Sequence, residues 1–234
     1  MYLDGRRILY KLSGELLLGS EGVVDVARVQ DVVDEIEQIC ALGRELIVVC
    51  GAGNILRGRS TINEYAERAL MDAAGMMATY VNATVLSAYM LPRGLNSKVF
   101  GVFEAPQVSL YKASDCLQSL HEGVIFLVGG TGLPYFSTDT LAAVRASELH
   151  CDLFVKATSV DGVYTANPHD DPQAQKIDTL TYHYAIQNEL NIMDLAAYSV
   201  MGQSGVPTVV FNRAKHTLPQ LLEMKVPHSL ITQE

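Results

Sequence analysis

The chain lacks the features of membrane proteins and of disulfide-rich secreted proteins. No apolar run approaches the ~20 residues that a membrane-spanning helix needs. Lys11 interrupts the apolar stretch near the amino terminus that could form a signal core. The four cysteines lie far apart, with no Cys-x-x-Cys pair and no histidine at metal-ligand spacing. The composition predicts a cytoplasmic protein with reduced, buried thiols, no membrane contact and no metal held by the protein itself.

Basic residues are also scarce. Lys and Arg number 17 against 26 Asp and Glu, which gives a formal net charge of −9 at pH 7. A nucleic-acid polymer is therefore an unfavourable partner, because binding it normally requires a basic stripe. Hydrophobic residues make up 49% of the 234 residues, enough for the core of one large α/β domain or two small ones.

Two common nucleotide-site signatures are absent. No Gly-x4-Gly-Lys-[Ser/Thr] segment occurs, which excludes a Walker-type site. A dinucleotide fingerprint is incomplete, because Gly51-x-Gly53 and a downstream Asp72 are present but Leu56 stands where the third glycine belongs. An NAD-dependent oxidoreductase therefore remains a weak alternative.

Three short apolar runs each end in a glycine-rich turn. They cover residues 8–14, 46–54 and 125–132. Buried parallel strands consist of such apolar runs, and ligands of open α/β sheets bind beyond the carboxyl ends of the strands. Backbone N–H groups in glycine turns suit phosphate oxygens. We expect the three turns to converge on one pocket for phosphorylated ligands.

Hydrophobic periodicity predicts strands alternating with helices. The predicted helices cover 26–42, 65–86, 139–149, 182–190, 195–204 and 218–224, and further strands cover 151–156, 208–211 and 229–232. Residues 162–176 are predicted to form a surface hairpin and loop. This order favours an α/β fold with a mostly parallel sheet. It leaves open whether two lobes divide near Thr158.

A few charged residues stand beside the predicted turns. Lys11 and Lys156 each lie at the carboxyl end of a predicted strand, from which a lysine can reach a transferring phosphoryl group. Arg57 follows the second glycine turn, where a guanidinium could bind phosphate oxygens. Asp139 and Asp161 come near the same edge if the strands are neighbours. Taken singly, Lys11 is explained equally well as a solvated lysine and Arg57 as part of a surface ion pair. A lone carboxylate such as Asp139 or Asp161 is more often a cap or turn residue than a catalytic group.

Five sequence blocks occur in one order over nearly the whole chain: KLSGE at 11–15, GAGN at 51–54 with RG at 57–58, GTGLPYFSTD at 130–139, KATSVDGVY at 156–164, and MDLAA at 193–197. Together they resemble the bacterial uridylate (UMP) kinases, a branch of the amino acid kinase superfamily. The block at 156–163 is shared by several branches. The block at 131–139 is typical of the UMP kinase branch.

This resemblance implies a fold and an activity. The fold is a three-layer α/β/α arrangement with a mostly parallel central sheet, as a single amino acid kinase-like domain over 1–234. Its acceptor-binding part covers about 1–150 and its ATP-binding part about 151–234. The implied reaction transfers the γ-phosphoryl group of ATP to UMP, giving UDP and ADP in pyrimidine biosynthesis. Mg²⁺ carried by the ATP phosphates and a homohexameric assembly are implied as well.

The resemblance also implies site residues. ATP contacts are expected from Lys11, Leu12, Ser13, Gly14, Gly53, Arg57, Thr158, Tyr164 and Asn167. UMP contacts are expected from Ala52, Asp72, Thr131, Gly132, Leu133, Pro134, Tyr135, Phe136, Ser137 and Thr138. The catalytic group comprises Lys11 and Lys156, which neutralise charge on the transferring group, and Asp139, which orients a lysine or a metal-bound water. An allosteric segment for activation by GTP, with inhibition by UTP, falls on Gly19, Ser20, Glu21, Gly22, Val23 and Val24.

Some positions depart from the usual family pattern. Ala52 replaces a common Gly, Leu133 a frequent Asn, and Asn167 a common Asp, and the allosteric segment is one residue shorter. Ala52 keeps its backbone N–H, so little loss is expected there. A second alternative is a non-enzymatic relative, such as the molybdenum storage proteins. It is disfavoured because both lysines persist.

The implied chemistry needs no general base. The second pKa of a phosphate monoester is about 6, so the attacking oxygen of UMP is largely ionised at pH 7. None of the six histidines therefore needs a catalytic role. The lysines are expected to stay protonated to about pH 8.5 unless burial lowers their pKa.

Overall fold

The computed structural model describes residues 2–19, 22–56, 66–168 and 170–234. Three predicted ligand residues, Ser20, Glu21 and Arg57, lie outside these ranges. The helices are α1 (Val26–Ala41), α2 (Arg68–Met90), α3 (Ala113–Ser119), α4 (Thr138–Glu148), α5 (Tyr182–Gln187), α6 (Leu195–Ser204) and α7 (Leu218–Leu222). The strands are β1 (Arg7–Leu12), β2 (Glu45–Cys50), β3 (Ser97–Gly101), β4 (Val108–Leu110), β5 (Val124–Val128), β6 (Leu153–Thr158), β7 (Val163–Tyr164), β8 (Lys176–Ile177), β9 (Thr179–Thr181), β10 (Thr208–Asn212) and β11 (His228–Thr232).

One large sheet runs through the molecule. Its 9 strands have the order β4-β3-β5-β2-β1-β6-β10-β11-β9. The first seven strands in this order, which end with β10, are parallel to one another. Strand β11 pairs antiparallel with β10 and parallel with β9. Strands from the first and the last part of the chain thus share the sheet. The small β7-β8 pair confirms the hairpin predicted within residues 162–176.

Helices cover both faces of the sheet. Successive residues of a strand point to opposite faces. In β1, Ile8 and Tyr10 pack with α1, α2 and α7, whereas Leu9 packs with α3 to α6. Two separate apolar clusters result, one on each face. The three-layer α/β/α architecture with a mostly parallel sheet is confirmed.

Several short elements differ from the predicted ones. Strands β3 and β4 and helix α3 were not predicted, because they are brief and carry polar residues such as Lys98 and Ser109. Helix α2 extends to Met90, and helix α5 stops at Gln187. Glu189 adopts a left-handed backbone with φ of 51°, which cannot continue a right-handed helix. Within the described residues, no helix has the length and apolarity required to cross a bilayer.

The strand order brings the glycine turns together. The strands before them, β1, β2 and β5, are consecutive neighbours in the sheet, and β6 lies on the other side of β1. Because these strands are parallel, their carboxyl ends meet at one edge. In the register of β1 with β6, Lys11 stands directly beside Lys156.

A buried carboxylate ties β1 to α1, α7 and the segment after β10. Glu35 in α1 accepts hydrogen bonds from the Tyr10 hydroxyl at 3.1 Å, from Arg213 Nε at 2.5 Å and from the backbone N–H of Leu218. Burial raises the pKa of Glu35, and the Arg213 guanidinium opposes that shift. Three donors compensate the charge that burial would otherwise disfavour.

We expect Glu35→Ala to destabilise the fold by ~3–5 kcal/mol, the range for removing one partner of a buried ion pair. Removing the carboxylate leaves Nε of Arg213 and the N–H of Leu218 without their acceptor. Urea unfolding followed by circular dichroism measures the destabilisation. The double variant Glu35→Leu with Arg213→Met should recover much of the loss, because no unpaired charge remains. A loss below ~1 kcal/mol in Glu35→Ala would contradict this interpretation.

Candidate active site

Three charged residues form a buried cluster at the carboxyl edge of the sheet. Lys11 and Lys156 lie in register on neighbouring strands, so both side chains point to the face covered by α4. Asp139, the second residue of α4, lies between them. Its Oδ1 is 2.9 Å from Lys11 Nζ and its Oδ2 is 2.5 Å from Lys156 Nζ. We call Lys11, Asp139 and Lys156 the charge cluster.

The electrostatics of the charge cluster follow from burial and mutual contact. Burial alone would raise the pKa of Asp139, but the two ammonium groups outweigh it and hold this pKa far below its ordinary range. Burial lowers the pKa of Lys156 to about 8, with Lys11 adding to the shift and Asp139 opposing it. Asp139 therefore stays ionised at neutral pH, and the protonated cluster carries one net positive charge.

The start of α4 is fixed from two sides. Ser137 caps the helix, accepting from the N–H of Asp139 at 3.0 Å. Asp194, the cap of α6, accepts from the hydroxyls of Ser137 and Thr140 and from the N–H of Ala197 at 2.8 Å. Asp194 thus holds the residues on either side of Asp139. Sequence reasoning placed Asp194 within a family block without a role, although an aspartate before Leu-Ala-Ala is a helix-cap signal.

A first cleft of about 420 Å³ opens beside this helix start. That volume lies in the ~300–1,000 Å³ range of small-molecule sites. Its lining includes six of the residues predicted to contact UMP: Ala52, Asp72, Tyr135, Phe136, Ser137 and Thr138. It also includes Gly53, which was predicted for ATP, and the unpredicted Glu15, Leu56, Arg68, Met71, Gly75, Met76, Thr79 and Gly130.

Within this cleft, Arg68, Asp72 and Tyr135 contact one another. Arg68 Nε lies 2.9 Å from both carboxylate oxygens of Asp72 one helical turn away. The backbone N–H of Tyr135 donates to Asp72 at 2.8 Å, and the Arg68 guanidinium lies 5.3 Å from the Tyr135 ring centre. Tyr135 has φ of 71°, a conformation that costs energy for a residue with a side chain. These contacts hold Asp72 at the wall of the cleft.

The glycine turn after β5 reaches only part of the way into the cleft. Gly129, Gly130 and Gly132 have φ of 86°, 57° and 77°, so each needs the conformational freedom of glycine. The Thr79 hydroxyl of α2 accepts from the Gly129 N–H at 2.8 Å and fixes the turn. Four predicted UMP residues lie on this loop beside the cleft without lining it: Thr131, Gly132, Leu133 and Pro134.

A second cleft, of about 340 Å³, lies beyond the end of β6. Its lining brings together Thr158, Tyr164 and Asn167, all predicted to contact ATP. Sequence reasoning missed the other wall, which residues 189–192 form between α5 and α6. Asp161 pairs with Lys215 at 3.2 Å rather than with the charge cluster.

The first turn packs against the second without lining either cleft. A Cβ atom on Gly14 would lie 2.6 Å from the carbonyl oxygen of Gly51, so only glycine permits this approach. Leu12 and Ser13 precede it at the end of β1. Gly19 and Gly22 to Val24, predicted as part of the allosteric segment, lie before α1 and line neither cleft.

The charge cluster connects the walls of the two clefts. Helix α4 begins at Thr138 in the first cleft and presents Asp139 as its next residue. Strand β6 carries Lys156 and ends at Thr158 in the second cleft. The contact between Asp139 and Lys156 therefore joins the helix that bounds one cleft to the strand that bounds the other.

Comparison with known proteins agrees with this geometry. The model of the amino acid kinase family matches residues 6–212. The chain is 38% identical over 213 residues to a uridylate kinase of Bradyrhizobium sp. (strain ORS 278), covering 90% of both chains. It is 40% identical over 209 residues to that of Azorhizobium caulinodans, covering 88% of both.

Solved structures give the same result. The UMP kinase from Ureaplasma parvum superposes with a TM-score of 0.90 at 30% identity, over 97% of this chain and 98% of that one. The UMP kinase from Bacillus anthracis gives 0.91 at 25% identity, over 98% and 97%. The chain therefore belongs to the amino acid kinase family, in its uridylate kinase branch.

Proposed function

We propose that the protein transfers the γ-phosphoryl group of MgATP to UMP, giving UDP and ADP. The observation that carries this proposal is the buried charge cluster at the junction of two clefts. A phosphoryl transfer between two nucleotides needs a binding site on each side and positive charge where they meet. The relatives named uridylate kinase support UMP as the acceptor.

The two clefts take different substrates in this proposal. UMP occupies the first cleft, where the Asp72 carboxylate accepts a hydrogen bond from a ribose hydroxyl. A carboxylate would repel the phosphate, so the phosphate lies away from Asp72, toward the backbone of Ala52 and Gly53. ATP occupies the second cleft, contacting Thr158, Tyr164 and Asn167, and its phosphates extend toward Lys11 and the turn ending at Gly14.

The transfer step needs alignment and charge neutralisation. An oxygen of the UMP phosphate attacks the γ-phosphorus as the bond from that phosphorus to the bridging oxygen of ADP breaks. That oxygen carries no proton to remove at neutral pH. Lys11 and Lys156 stabilise negative charge on the transferring group. Asp139 positions both ammonium groups, and its low pKa makes it unsuited to accept a proton.

Magnesium enters this reaction as part of the substrate. Among the described residues, no group of three His, Cys, Asp or Glu side chains could hold a metal ion. Both oxygens of Asp139 already lie beside ammonium groups. Mg²⁺ usually keeps several waters and binds substrate phosphates with few protein ligands. The ATP phosphates therefore carry the ion in this proposal.

Assembly, regulation and location complete the proposal. The homohexamer, activation by GTP and inhibition by UTP are supported by the family resemblance. Helix α2 also exposes large apolar side chains that could face another subunit, among them Leu70, Met77 and Val81. The four cysteines are free, which agrees with a cytoplasmic location.

An acceptor panel tests the proposed function. In a coupled assay for ADP formation, UMP should give the highest kcat/KM among UMP, CMP, deoxy-UMP, acetylglutamate and aspartate. Deoxy-UMP should be poorer than UMP by about tenfold or more, because Asp72 loses a hydrogen-bond donor. In Asp72→Asn that difference should shrink. Equal kcat/KM for UMP and deoxy-UMP would contradict the placement of Asp72, and ATP binding without ADP release would favour a storage protein.

Lys11→Ala should lower kcat by ~10²–10³ while changing the KM for UMP far less, because its charge acts mainly in the transition state. Steady-state kinetics with UMP and MgATP measure the split. Lys98→Ala, which removes an exposed lysine from strand β3 of the same sheet, is the matched control and should retain wild-type kcat. If Lys11→Ala kept more than about half of wild-type kcat, Lys11 would have no part in the transfer.

The pH profile of kcat/KM should be bell-shaped. It should rise with an apparent pKa of about 6 as the UMP phosphate ionises, then fall near pH 8 as Lys156, whose pKa burial lowers to about 8, loses its proton. This fall replaces the plateau to pH 8.5 that unperturbed lysines would give. Stopped assays over a pH series measure both limbs.

Variants separate the two limbs. In Lys156→Arg the group stays charged, so the falling limb should disappear even if kcat is lower. His121, His150 and His183 are exposed, and replacing each by Gln should leave the rising limb in place. A histidine variant that folds, binds UMP and loses ~10² in rate would show that a general base is required.

A further inference from the structure

Two buried asparagines form a closed hydrogen-bonded pair behind the second glycine turn. Asn82 of α2 donates from Nδ2 to the Gly51 carbonyl and to Asn54 Oδ1, both at 2.8 Å. Asn54 donates from Nδ2 to Asn82 Oδ1 at 3.0 Å and to the Val23 carbonyl at 2.7 Å. Each amide nitrogen faces a backbone carbonyl, which can only accept, so the orientation of both carboxamides is fixed.

The pair is unusual for its position. Asn82 is 0% exposed and lies on the buried face of α2, among Ala83, Leu86 and Met90. A polar side chain in that environment is costly unless its hydrogen bonds are satisfied. A leucine would fill the site without that requirement. The Asn82 side chain does not line the first cleft, so it does not contact a ligand there.

The hydrogen bond from Asn82 to the Gly51 carbonyl determines where the N–H of Ala52 points. The Gly51 N–H donates to the Leu12 carbonyl at 2.9 Å, and the Gly51 carbonyl is held by Asn82, so the residue is fixed at both ends. In a planar trans peptide, the carbonyl of Gly51 and the N–H of Ala52 point in opposite directions. The carbonyl points into the core, and the N–H therefore points back toward the first cleft, which Ala52 lines.

That N–H is available to a ligand. Among the residues that the structure describes, no protein oxygen accepts a hydrogen bond from Ala52 N. The first turn packs closely against the same Gly51–Ala52 peptide group. A Cβ atom placed on Gly14 would lie 2.7 Å from Asn54 Oδ1 and closer still to the Gly51 carbonyl. The asparagine pair thus fixes one peptide group at the junction of two glycine turns.

We propose that Asn82 is a positioning residue for phosphoryl transfer: through the Gly51 carbonyl it aims the Ala52 N–H at the phosphate of UMP. Asn54 holds Asn82 in the required orientation. This inference rests on the proposed function, since it takes UMP as the ligand of the first cleft. It explains why Ala can replace the common glycine at position 52. The contribution of that position comes from its N–H, and Asn82 controls its direction.

The test compares ligands with and without a phosphate. Asn82→Asp is nearly isosteric and replaces the donor beside the Gly51 carbonyl with an acceptor, which should turn that peptide away. The dissociation constant of UMP should rise about tenfold or more, the scale of a lost hydrogen bond to a charged group. That of uridine, which has no phosphate, should stay within about twofold. Calorimetric titration measures both, independently of turnover.

Two further variants separate positioning from stability. Tyr182→Phe removes a buried hydroxyl that donates to the Val206 carbonyl at 2.6 Å, in the opposite helix layer. It should lower Tm without changing either dissociation constant. Asn54→Ser is a milder change that can be used if Asn82→Asp fails to fold. It should also raise the dissociation constant of UMP.

The outcomes are distinct. Equal weakening of UMP and uridine, or no weakening of either, would overturn the role of Asn82. Absence of UDP formation by the wild-type protein would instead overturn the proposed function, whatever the binding of the variants.

Discussion

The buried contact of Asp139 with Lys11 and Lys156 is the constraint on which the rest of the site depends. Two ammonium groups on adjacent strands repel each other, and burying either alone is unfavourable. The carboxylate between them offsets both effects, but only if β1 and β6 are neighbours in register and α4 begins at the right height above them. The strand order, the Ser137 cap and the Asp194 bridge each serve this geometry. One positive charge remains, and in the proposed function it attracts the phosphate groups of the substrates.

Several polar side chains in or behind the walls of the clefts hold the backbone groups of the site. Thr79 fixes the turn after β5, Asn82 the turn after β2, and Asp194 the start of α4. Each uses a side chain that is buried or half-buried and hydrogen-bonded, so its rotamer is fixed by packing. Backbone N–H groups can stabilise a transferring phosphoryl group only if they need not reorient during the reaction. The rigidity of the site therefore comes from polar residues of the core.

Sequence reasoning succeeded where chemistry is local. Glycine turns after apolar strands, the helix that starts near Asp139, and the two lysines at strand ends were all visible in short segments, and the sheet brought them to one edge. The position of Lys11 beside Lys156 was not visible, because strand order depends on pairing between distant segments. Strands β3 and β4 were missed since they are short and partly polar. Asn82 was also missed. Its position as a polar residue within the apolar stripe of α2 was a usable signal that a buried hydrogen-bond partner must exist.

An acidic protein that binds two negatively charged nucleotides must limit the repulsion from its own carboxylates. Screening by salt limits this repulsion, because it weakens the effect of distant exposed charges. The net charge of −9 is spread over the whole sequence, and in physiological salt solvent-exposed charges are largely screened beyond ~8 Å. Exposed carboxylates more than ~8 Å from the site therefore contribute little there. Buried charges are screened far less, so two lysines and a few aimed N–H groups decide the local potential. This also explains why Asp72 can lie in the first cleft. Paired with Arg68 at 2.9 Å, it offers a hydrogen-bond acceptor with its charge largely compensated.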